Sequence, residues 1–405
     1  MSTLFLFTDK FPFKGGEPFL ETEIVYLSKA FEEVIIFPLS GQGSEKLPMP
    51  PNVEVIDFET NRPVYIKKLL IKHGWIIVKW FVLEFIKSPH RFKYITQFNW
   101  NFKRLAGLLN NAIELNNFIN HLNLSKPHQP LCYSYWFNDW ASMLAIAKDK
   151  GLDKKLISRV HLYDFEEEFS GRKYLPFRYV EQTKIDKIFP ISNYAIRYIA
   201  RKSNKVKMEL SRLGVRDRGD NLISNNENRF RIVTCSSLSW YKRPLLLMEL
   251  MIELKCSIEW VHFGDGVLRE EFLSLAEELP QNIQFSFKGH LANSEVINFY
   301  QNNAVDLVLN VSSFEGIPVS LMEAISFGIP IVGCNMCGMP EIINSKTGML
   351  LEVDFNITEV AMALESFLKT NSRNQSFRNG VKEFWKDNFD ADKNYKDFVE
   401  DLKAT

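Results

Sequence analysis

The chain has 405 residues, with 49 basic and 49 acidic side chains and 46% hydrophobic residues. This length exceeds what one hydrophobic core usually serves, so we expect two globular domains. The balanced charge argues against a general nucleic-acid binder, and we expect no nucleic acid among the partners. The first residues, MSTLFLFTDKF, lack the basic start of a signal peptide, so we interpret them as the first strand of a cytoplasmic protein.

Short apolar runs alternate with helical patterns along the whole chain. In the first half, a helix is predicted over residues 18–31, and strands are predicted over residues 4–8, 34–37, 131–135, 156–160 and 187–191. In the second half, strands are predicted over residues 231–235, 258–263, 283–287, 305–311 and 331–332. Helices are predicted to begin near Pro244, Val267, Ser294, Pro318 and Met339. The alternation predicts the α/β class with two doubly wound parallel sheets.

A polar stretch rich in Asn, Asp and Gly divides these two series. It covers residues 215–228 and predicts a linker between an amino-terminal domain, 1–214, and a carboxy-terminal domain, 229–374. Residues 375–405 form a last helical pattern beyond the final predicted strand.

Residues 61–120 form a predicted helical insertion in the first domain that is basic and aromatic. Within it, residues 61–104 carry ten Lys or Arg residues against one acid. The apolar runs in residues 66–87 are too short to span a bilayer. On a helical wheel, Lys68, Lys72 and Lys79 fall together and leave an apolar arc with Trp75 and Trp80. Two interpretations stay open: a helix lying on an anionic membrane, or a buried helix with lysine stems reaching outward.

No metal site is expected. Cys334 and Cys337 form a C-x-x-C pair, but no second pair of cysteines or histidines stands at zinc-finger spacing. Asp390 and Asp392 form a D-x-D string directly before a predicted helix, where a helix cap explains the aspartate.

The most informative stretch is FEGIPVSLMEA, residues 314–324, which follows a predicted strand and opens a helix. It places Glu315 and Glu323 eight positions apart, at the edge of the sheet where α/β proteins bind ligands. Carboxylates accept hydrogen bonds from vicinal hydroxyls, which suits a sugar or a ribose. The alternative is structural, since Ser312 and Ser320 each precede a glutamate in the S-x-x-E pattern of a capping box.

The whole run FEGIPVSLMEAISFGIPIVGCNMCGMPEII resembles the nucleotide-sugar site of the family-4 retaining glycosyltransferases. The resemblance implies a GT-B fold, in which two Rossmann-like domains face a central cleft. It places Glu315 beside the transferred sugar and Glu323 on the ribose hydroxyls. It also implies that residues 375–405 cross back to the first domain, with Trp385, Phe389 and Tyr395 as candidate anchors; an ordinary terminal helix is the alternative.

Further donor contacts are predicted in the second domain. Lys242 and Arg243 precede a helix start and suit a diphosphate, although Ser237 stands where most family members have an arginine. Arg243, or Arg159 or Arg178 of the first domain, could compensate. Backbone amides at the start of the next helix are expected to face the donor; they belong to Gly316, Ile317, Val319 and Ser320. The resemblance places the nucleotide base near Leu291.

The first domain is expected to contact the donor and to hold the acceptor. Gly15 and Gly16 precede a helix start where a phosphate could approach the backbone, although a simple tight turn would look the same. The R-x-H-x-x-D arrangement around His161 resembles the family's histidine that contacts the transferred sugar. Four residues are predicted acceptor contacts: Glu17, Tyr135, Tyr163 and Asp164.

These features predict a glycosyltransferase in which His161, Glu315 and Lys242 are the catalytic residues. By resemblance, it moves a hexose from a UDP- or GDP-sugar to a saccharide acceptor with retention, without a metal or another cofactor. The expected setting is bacterial surface polysaccharide assembly on a lipid-linked acceptor, with residues 66–87 in peripheral contact with the inner face of the plasma membrane. The alternatives are a sugar-nucleotide epimerase or hydrolase of the same fold, and a non-catalytic nucleotide-sugar-binding protein.

Overall fold

The computed structural model describes residues 3–41, 43–60, 63–88, 96–123, 130–167, 175–202, 206–226 and 228–405. The chain forms two compact units. The amino-terminal unit comprises Met1–Ser211 together with Lys396–Thr405, and the carboxy-terminal unit comprises Arg212–Tyr395.

The amino-terminal unit contains a parallel sheet of six strands in the order β3-β2-β1-β4-β5-β6. The strands are β1 (Thr3–Thr8), β2 (Glu33–Pro38), β3 (Val53–Val55), β4 (Leu131–Ser134), β5 (Leu156–Val160) and β6 (Lys187–Pro190). The helices are α1 (Leu20–Ala30), α2 (Ile66–Lys87), α3 (Phe98–Asn123), α4 (Asp139–Asp149), α5 (Leu162–Phe165), α6 (Arg178–Gln182) and α7 (Asn193–Lys202). Every residue of the central strands β1 and β5 is buried, as expected for parallel strands covered on both faces.

The carboxy-terminal unit repeats this arrangement with the strand order β12-β11-β10-β7-β8-β9. The strands are β7 (Phe230–Cys235), β8 (Ile258–Phe263), β9 (Ile283–Phe287), β10 (Leu307–Asn310), β11 (Ile331–Cys334) and β12 (Gly348–Leu351). The helices are α8 (Pro244–Glu253), α9 (Arg269–Ala276), α10 (Asn293–Asn302), α11 (Val319–Ser326), α12 (Ile357–Thr370) and α13 (Gln375–Asn388). A last helix, α14 (Ala391–Ala404), begins in this unit, and its final residues belong to the amino-terminal unit.

Both sheets therefore confirm the predicted doubly wound parallel architecture. In each, strand order reverses beside the first strand, between β1 and β4 and between β7 and β10. Ligands of doubly wound folds bind outside the carboxyl ends of the strands at such a switch point. The edge strands β3 and β12 were not predicted; unlike the inner strands, most of their residues are only partly buried. The helix predicted at Met339 is a single 3₁₀ turn, Met339–Glu341.

The predicted linker lies in the carboxy-terminal unit and is held by hydrogen bonds. Asn221 is buried, and its amide donates to the backbone carbonyls of Tyr300 and Asn303 at 2.6 and 2.8 Å. The proposed anchors of the last segment were wrong, because Trp385, Phe389 and Tyr395 are all buried residues of the carboxy-terminal unit. A different set of side chains from α14 enters the core of the amino-terminal unit: Phe398, Val399 and Leu402.

Helix α2 confirms the helical prediction for residues 66–87. The apolar arc divides into two faces, because Trp80 is fully buried whereas Trp75 is 55% exposed. Asp149 fixes the buried face by accepting hydrogen bonds at 2.7 Å from both Lys79 Nζ and Trp80 Nε1. Among the described helices, none is both long and apolar enough to cross a membrane.

Candidate active site

The carboxy-terminal unit brings Lys242 and Glu315 together at the switch point of its sheet. Lys242 follows β7 and Glu315 follows β10, the two adjacent strands between which the strand order reverses. Their side chains form an ion pair and are 15% and 14% exposed. The loops are also joined by their backbones, since the Ser313 amide donates to the Tyr241 carbonyl at 2.8 Å. Two residues 73 positions apart in sequence thus form one charged centre.

A close glycine contact supports this centre from β11. A Cβ atom on Gly338 would lie 2.5 Å from the carbonyl oxygen of Gly316, closer than side chains and backbone approach in proteins. Gly338 therefore allows the turn after β11 to pack directly against the turn that carries Glu315.

Glu323 lies inside α11 and is 7% exposed. Burial raises the pKa of its carboxyl group to about 7, while the hydrogen bond from Asn293 and the charge of Arg218 act in the opposite direction. Asn293 Nδ2 donates to Glu323 Oε1 at 2.6 Å. Near neutral pH this carboxyl group is therefore poised between its two protonation states, and it can accept or donate a hydrogen bond to a hydroxyl group.

The capping interpretation of the two glutamates was wrong. Glu315 lies before α11, and its carboxylate accepts a hydrogen bond from the Ser312 hydroxyl at 3.4 Å. Ser320 and Glu323 both lie within the helix, whose N-cap is Pro318. Because Pro318 has no side-chain acceptor, the first amides of α11 are not covered by a cap. The structure thus leaves the predicted donor contacts Gly316, Ile317, Val319 and Ser320 at an uncapped helix start.

Arg243 already uses three of its donors inside the protein. Its guanidinium donates to the backbone carbonyls of Val311 and Val353 at 2.7 and 2.8 Å and to the Cys334 sulfur at 3.0 Å. These bonds tie the loop after β7 to the ends of β10 and β12. Ser237 is exposed, with its hydroxyl 3.0 Å from that of Ser239. Lys242 is therefore the cation of this loop that is best placed for a diphosphate.

Both first-domain arginines that were candidates for replacing Ser237 form ion pairs inside the protein. Arg159 is fully buried, and it pairs with Glu23 at 3.2 Å and donates to Tyr133 at 2.9 Å. Arg178 pairs with Glu181 at 2.7 Å. The suggestion that Arg159 compensates for Ser237 was wrong, because a residue without exposed surface cannot reach a ligand. A role for Arg178 in place of Ser237 stays a prediction.

In the amino-terminal unit, Glu17 organises the loop after β1. Its carboxylate accepts hydrogen bonds from the backbone amides of Asp9, Lys10 and Phe11 at 2.7, 3.1 and 2.7 Å, and from Trp136 Nε1 at 2.9 Å. Because these donors saturate its lone pairs and it is buried, its prediction as an acceptor contact was wrong.

The two loop glycines serve the same turn. A Cβ on Gly16 would lie 2.8 Å from the Phe11 nitrogen, and Gly15 has φ of +75°. The tight-turn alternative therefore accounts for both glycines. Contact of Gly15 and Gly16 with a phosphate stays a prediction.

His161 is buried in an aromatic cluster after β5, with ring centroids of Trp136 and Tyr135 at 4.2 and 4.9 Å. Burial and the neighbouring Arg159 charge lower its pKa well below the usual value, so the ring is neutral. Tyr135 is fully buried, and its prediction as an acceptor contact was wrong.

Asp164 caps α5 by accepting the His161 amide at 2.8 Å. Burial raises its pKa to about 7 despite the opposing charge of Arg178. The side chain of Tyr163 is 52% exposed and remains a candidate acceptor contact.

Residues 217–384 match the family model described as Glycosyl transferases group 1. This segment is less than half of the chain, and the match shows what that part of the chain is similar to. A curated relative, the GtfA subunit of a UDP-N-acetylglucosamine–peptide N-acetylglucosaminyltransferase from Streptococcus agalactiae, is 27% identical over 146 residues. That match covers 34% of this chain and only 28% of the relative.

Solved structures of glycosyltransferases share the fold of this chain over its full length. The lipopolysaccharide outer core galactosyltransferase WaaB in its apo form has a TM-score of 0.68 at 17% identity, covering 100% of this chain and 99% of that chain. HepE from Anabaena in complex with UDP has a TM-score of 0.65 at 14% identity, with 100% coverage of both chains. Sucrose-phosphate synthase from Thermosynechococcus elongatus has a TM-score of 0.72 at 12% identity, covering 100% and 99%. The predicted GT-B fold is confirmed by these structures.

Two polar residues near the candidate sites were not predicted from the sequence. Asn293 forms a hydrogen bond with Glu323, which is 30 positions away in the sequence, and no spacing pattern predicts that pair. Asp9 follows β1 at the first switch point, and Asn138, which follows β4, donates to it at 2.6 Å. Burial, with the charges of Glu17 and Asp139, raises the pKa of Asp9 to about 6 against the effect of Asn138. A signal for Asp9 was available, since it is the first acidic residue after the first strand.

Leu291 is half-buried, two residues before Asn293. The loop predicted to contact the nucleotide base therefore leads into Asn293, which hydrogen-bonds Glu323.

Asp390 caps α14 by accepting a hydrogen bond from the Asp392 amide at 2.9 Å, as predicted for the D-x-D string. Within the described part of the chain, no three potential metal ligands cluster together.

Proposed function

We propose that this protein transfers a hexose from a nucleotide-diphosphate sugar to a saccharide acceptor with retention of the anomeric configuration. The observation that carries the proposal is the group formed by Lys242, Glu315 and Glu323 around an uncapped helix start at the switch point of the second sheet. Anions bind at helix starts, and a lysine beside one favours a diphosphate. UDP is the first nucleotide to test, because HepE was solved with UDP and the Streptococcus relative is named for a UDP-sugar.

Each residue has a separate proposed role. Lys242 exchanges part of its interaction with Glu315 for the diphosphate, Glu323 binds the ribose hydroxyls, and Glu315, released from the lysine, faces the transferred sugar. Gly316, Ile317, Val319 and Ser320 offer backbone amides to the donor. Neutral His161 hydrogen-bonds a sugar hydroxyl, and Tyr163 contacts the acceptor.

The proposed reaction needs no protein base. The bond from the anomeric carbon to the leaving phosphate oxygen breaks, while a bond forms to the acceptor hydroxyl on the same face of the sugar. The acceptor proton passes to the leaving phosphate oxygen. The charge that develops on the phosphate is stabilised by Lys242 and the dipole of α11, in place of a metal ion.

The test is calorimetry with a panel of UDP- and GDP-sugars on the wild type and on Glu323→Ala. We expect one donor to bind the wild type with micromolar affinity and the variant at least ten-fold more weakly. Unchanged affinity in Glu323→Ala contradicts the ribose assignment. Absence of binding by every donor contradicts the proposed function. Donor binding without transfer or turnover favours the non-catalytic nucleotide-sugar-binding alternative, and donor turnover without any acceptor favours an epimerase or hydrolase.

We also propose that the protein acts at the inner face of a bacterial plasma membrane, in surface polysaccharide assembly on a lipid-linked acceptor. The support is a row of exposed apolar side chains on α2, opposite its buried face. This α2 stripe consists of Ile71, Trp75, Val78, Val82, Phe85 and Ile86, whose exposure ranges from 43% to 86%. An exposed apolar row of this size indicates an interaction surface.

The charges beside the α2 stripe favour an anionic bilayer as its occupant. Lys67, Lys68, Lys72 and Lys87 are exposed, while Glu84, the acid of the helix, is buried. Lysines that flank an apolar row attract anionic lipid headgroups while the row enters the interface. A second copy of the chain is disfavoured, because the same lysines would face one another.

A further inference from the structure

A half-open cavity lies in the amino-terminal unit, near the carboxyl ends of β4 and β5. Its wall is formed by the segments that follow these strands and by α6 and α7, with Phe137, Asp164, Arg178 and Lys202 among the lining residues. Its empty volume is about 370 Å³, including the open mouth. The inner part has room for about two water-sized groups. This is the sheet edge at which doubly wound folds bind ligands.

Three buried polar atoms that belong to residues lining the cavity have no hydrogen-bond partner among the residues that the structure describes. They are Arg178 Nε, Tyr179 Oη and Gln182 Oε1, and Gln182 is only 8% exposed. Buried polar atoms in folded proteins are nearly always hydrogen-bonded, because leaving one unsatisfied costs free energy. A cluster of such atoms in one cavity therefore indicates a polar ligand.

The charges in the wall select a neutral ligand. Arg178 pairs with Glu181 at 2.7 Å, and Lys202 pairs with Glu167 at 2.6 Å and with the Tyr198 hydroxyl at 2.5 Å. These cations are therefore already balanced by carboxylates, and an anionic group would meet those carboxylates. Three groups remain available to hydrogen-bond a ligand. Arg178 Nε can donate, Gln182 Oε1 can accept, and the Tyr179 hydroxyl can donate or accept.

The shape and the remaining wall favour a sugar. Phe137, Phe165 and Tyr198 supply aromatic rings, which suit the C–H faces of a pyranose. The inner part has room for one hydroxymethyl group or two hydroxyls, so the rest of a hexose unit would lie in the open mouth. Burial and the charge of Glu167 raise the pKa of Tyr179, so its hydroxyl stays protonated and able to donate.

We propose that this Tyr179 cavity binds a neutral hexose unit through Tyr179, Gln182 and Arg178; identifying that unit as part of the acceptor rests on the proposed glycosyl transfer. The cavity would then select among acceptors by the hydroxyl pattern of the sugar inserted into it. Tyr163, the candidate acceptor contact at the surface, directly precedes the lining residue Asp164.

The experiment measures binding of three probes by saturation-transfer NMR: the methyl glycosides of glucose, galactose and N-acetylglucosamine. The test variants are Tyr179→Phe and Gln182→Met, each of which removes polar atoms with little change in size. Tyr65→Phe is the matched control, because Tyr65 is 71% exposed on the segment before α2 and outside the cavity. Melting temperatures identify any variant that fails to fold.

At least one glycoside is expected to bind the wild type and the control equally, and each test variant about ten-fold more weakly. UDP affinity, measured separately by calorimetry, is expected to be the same in all four proteins. If no glycoside binds the wild type, or if both variants bind like the control, the cavity is a solvent-filled space and the proposal is overturned. If a glycoside binds as expected but no nucleotide sugar does, the sugar site stands and the glycosyl-transfer proposal fails.

Discussion

Lys242 and Glu315 form an ion pair across the two strands between which the second sheet reverses its strand order. The lysine reaches the pair from a 3₁₀ turn after β7, and the glutamate from the turn before α11. In the proposed reaction, the donor enters a site whose cation and anion already hold each other in place. Binding of the diphosphate therefore competes with Glu315 for the ammonium group.

Removal of the cation is expected to weaken diphosphate binding selectively. Lys242→Met should lower UDP affinity by about ten- to a hundred-fold, the loss expected for one charge-assisted contact. Uridine affinity should stay within two-fold, because uridine has no phosphate. Calorimetry measures both, and Lys255→Met is the matched control, since that lysine is 74% exposed. Equal losses for uridine and UDP would contradict a phosphate role for Lys242.

Donor affinity is expected to rise with pH through the titration of Glu323. With a pKa of about 7, this carboxyl group is mostly protonated at pH 6 and mostly ionised at pH 8. If the ionised form accepts the ribose hydroxyls, the Kd of UDP-glucose should fall about ten-fold between those pH values. UDP-glucose is the probe because its diphosphate does not titrate there. Glu323→Gln should remove the pH dependence, and its persistence in that variant would assign the titration to another group.

The same carboxyl group should destabilise the fold at high pH. Its pKa is raised from 4.5 to about 7, so the native state holds a proton that the unfolded chain releases within that window. Stability is therefore full below pH 4.5 and is lost as pH rises toward 7, by on the order of 3 kcal/mol. Glu323→Gln should thus raise the melting temperature at pH 8 and leave it nearly unchanged at pH 4.5. An equal effect at both pH values would exclude ionisation as the cause.

A methyl group at Gly338 is expected to disturb the donor site from a distance. The added Cβ would meet the Gly316 carbonyl at 2.5 Å, so the turn that carries Glu315 has to move. Gly338→Ala should therefore weaken UDP-glucose binding by about ten-fold or more, given the sensitivity of such sites to shifts near 1 Å. Gly380→Ala is the control, because a Cβ there meets nothing within 4 Å. Wild-type affinity in Gly338→Ala would show that this packing does not position the site.

Membrane contact through the α2 stripe is tested by vesicle sedimentation. Ile71→Asn combined with Val78→Asn should reduce binding to anionic vesicles at least ten-fold, because both side chains are more than half exposed on the stripe. Met362→Asn, a 69% exposed position in the other unit, is the control. Neutral vesicles should bind the wild type more weakly than anionic ones. Binding that is insensitive to both the stripe variant and the lipid charge would contradict the proposal.

The sequence by itself determined the architecture and named the charged residues of the candidate donor site. Apolar runs at regular spacing specified two parallel sheets, since strands buried on both faces must be apolar. Glu315, Glu323 and Lys242 could be named because each follows a strand end in a local motif. The edge strands β3 and β12 were not predicted, because strands at a sheet edge are only partly buried and need no continuous apolar run.

Tertiary structure decided which polar residues are available to ligands. Glu17, Tyr135 and Arg159 occur in the expected loops and strands, yet each is buried and engaged inside the protein, and sequence position does not report burial. The Asn293–Glu323 bond and the three unsatisfied atoms of the Tyr179 cavity arise only when distant segments pack together. Local patterns specify where a chain turns and which face is apolar, whereas hydrogen-bond partners and pKa shifts depend on neighbours that only the folded chain supplies.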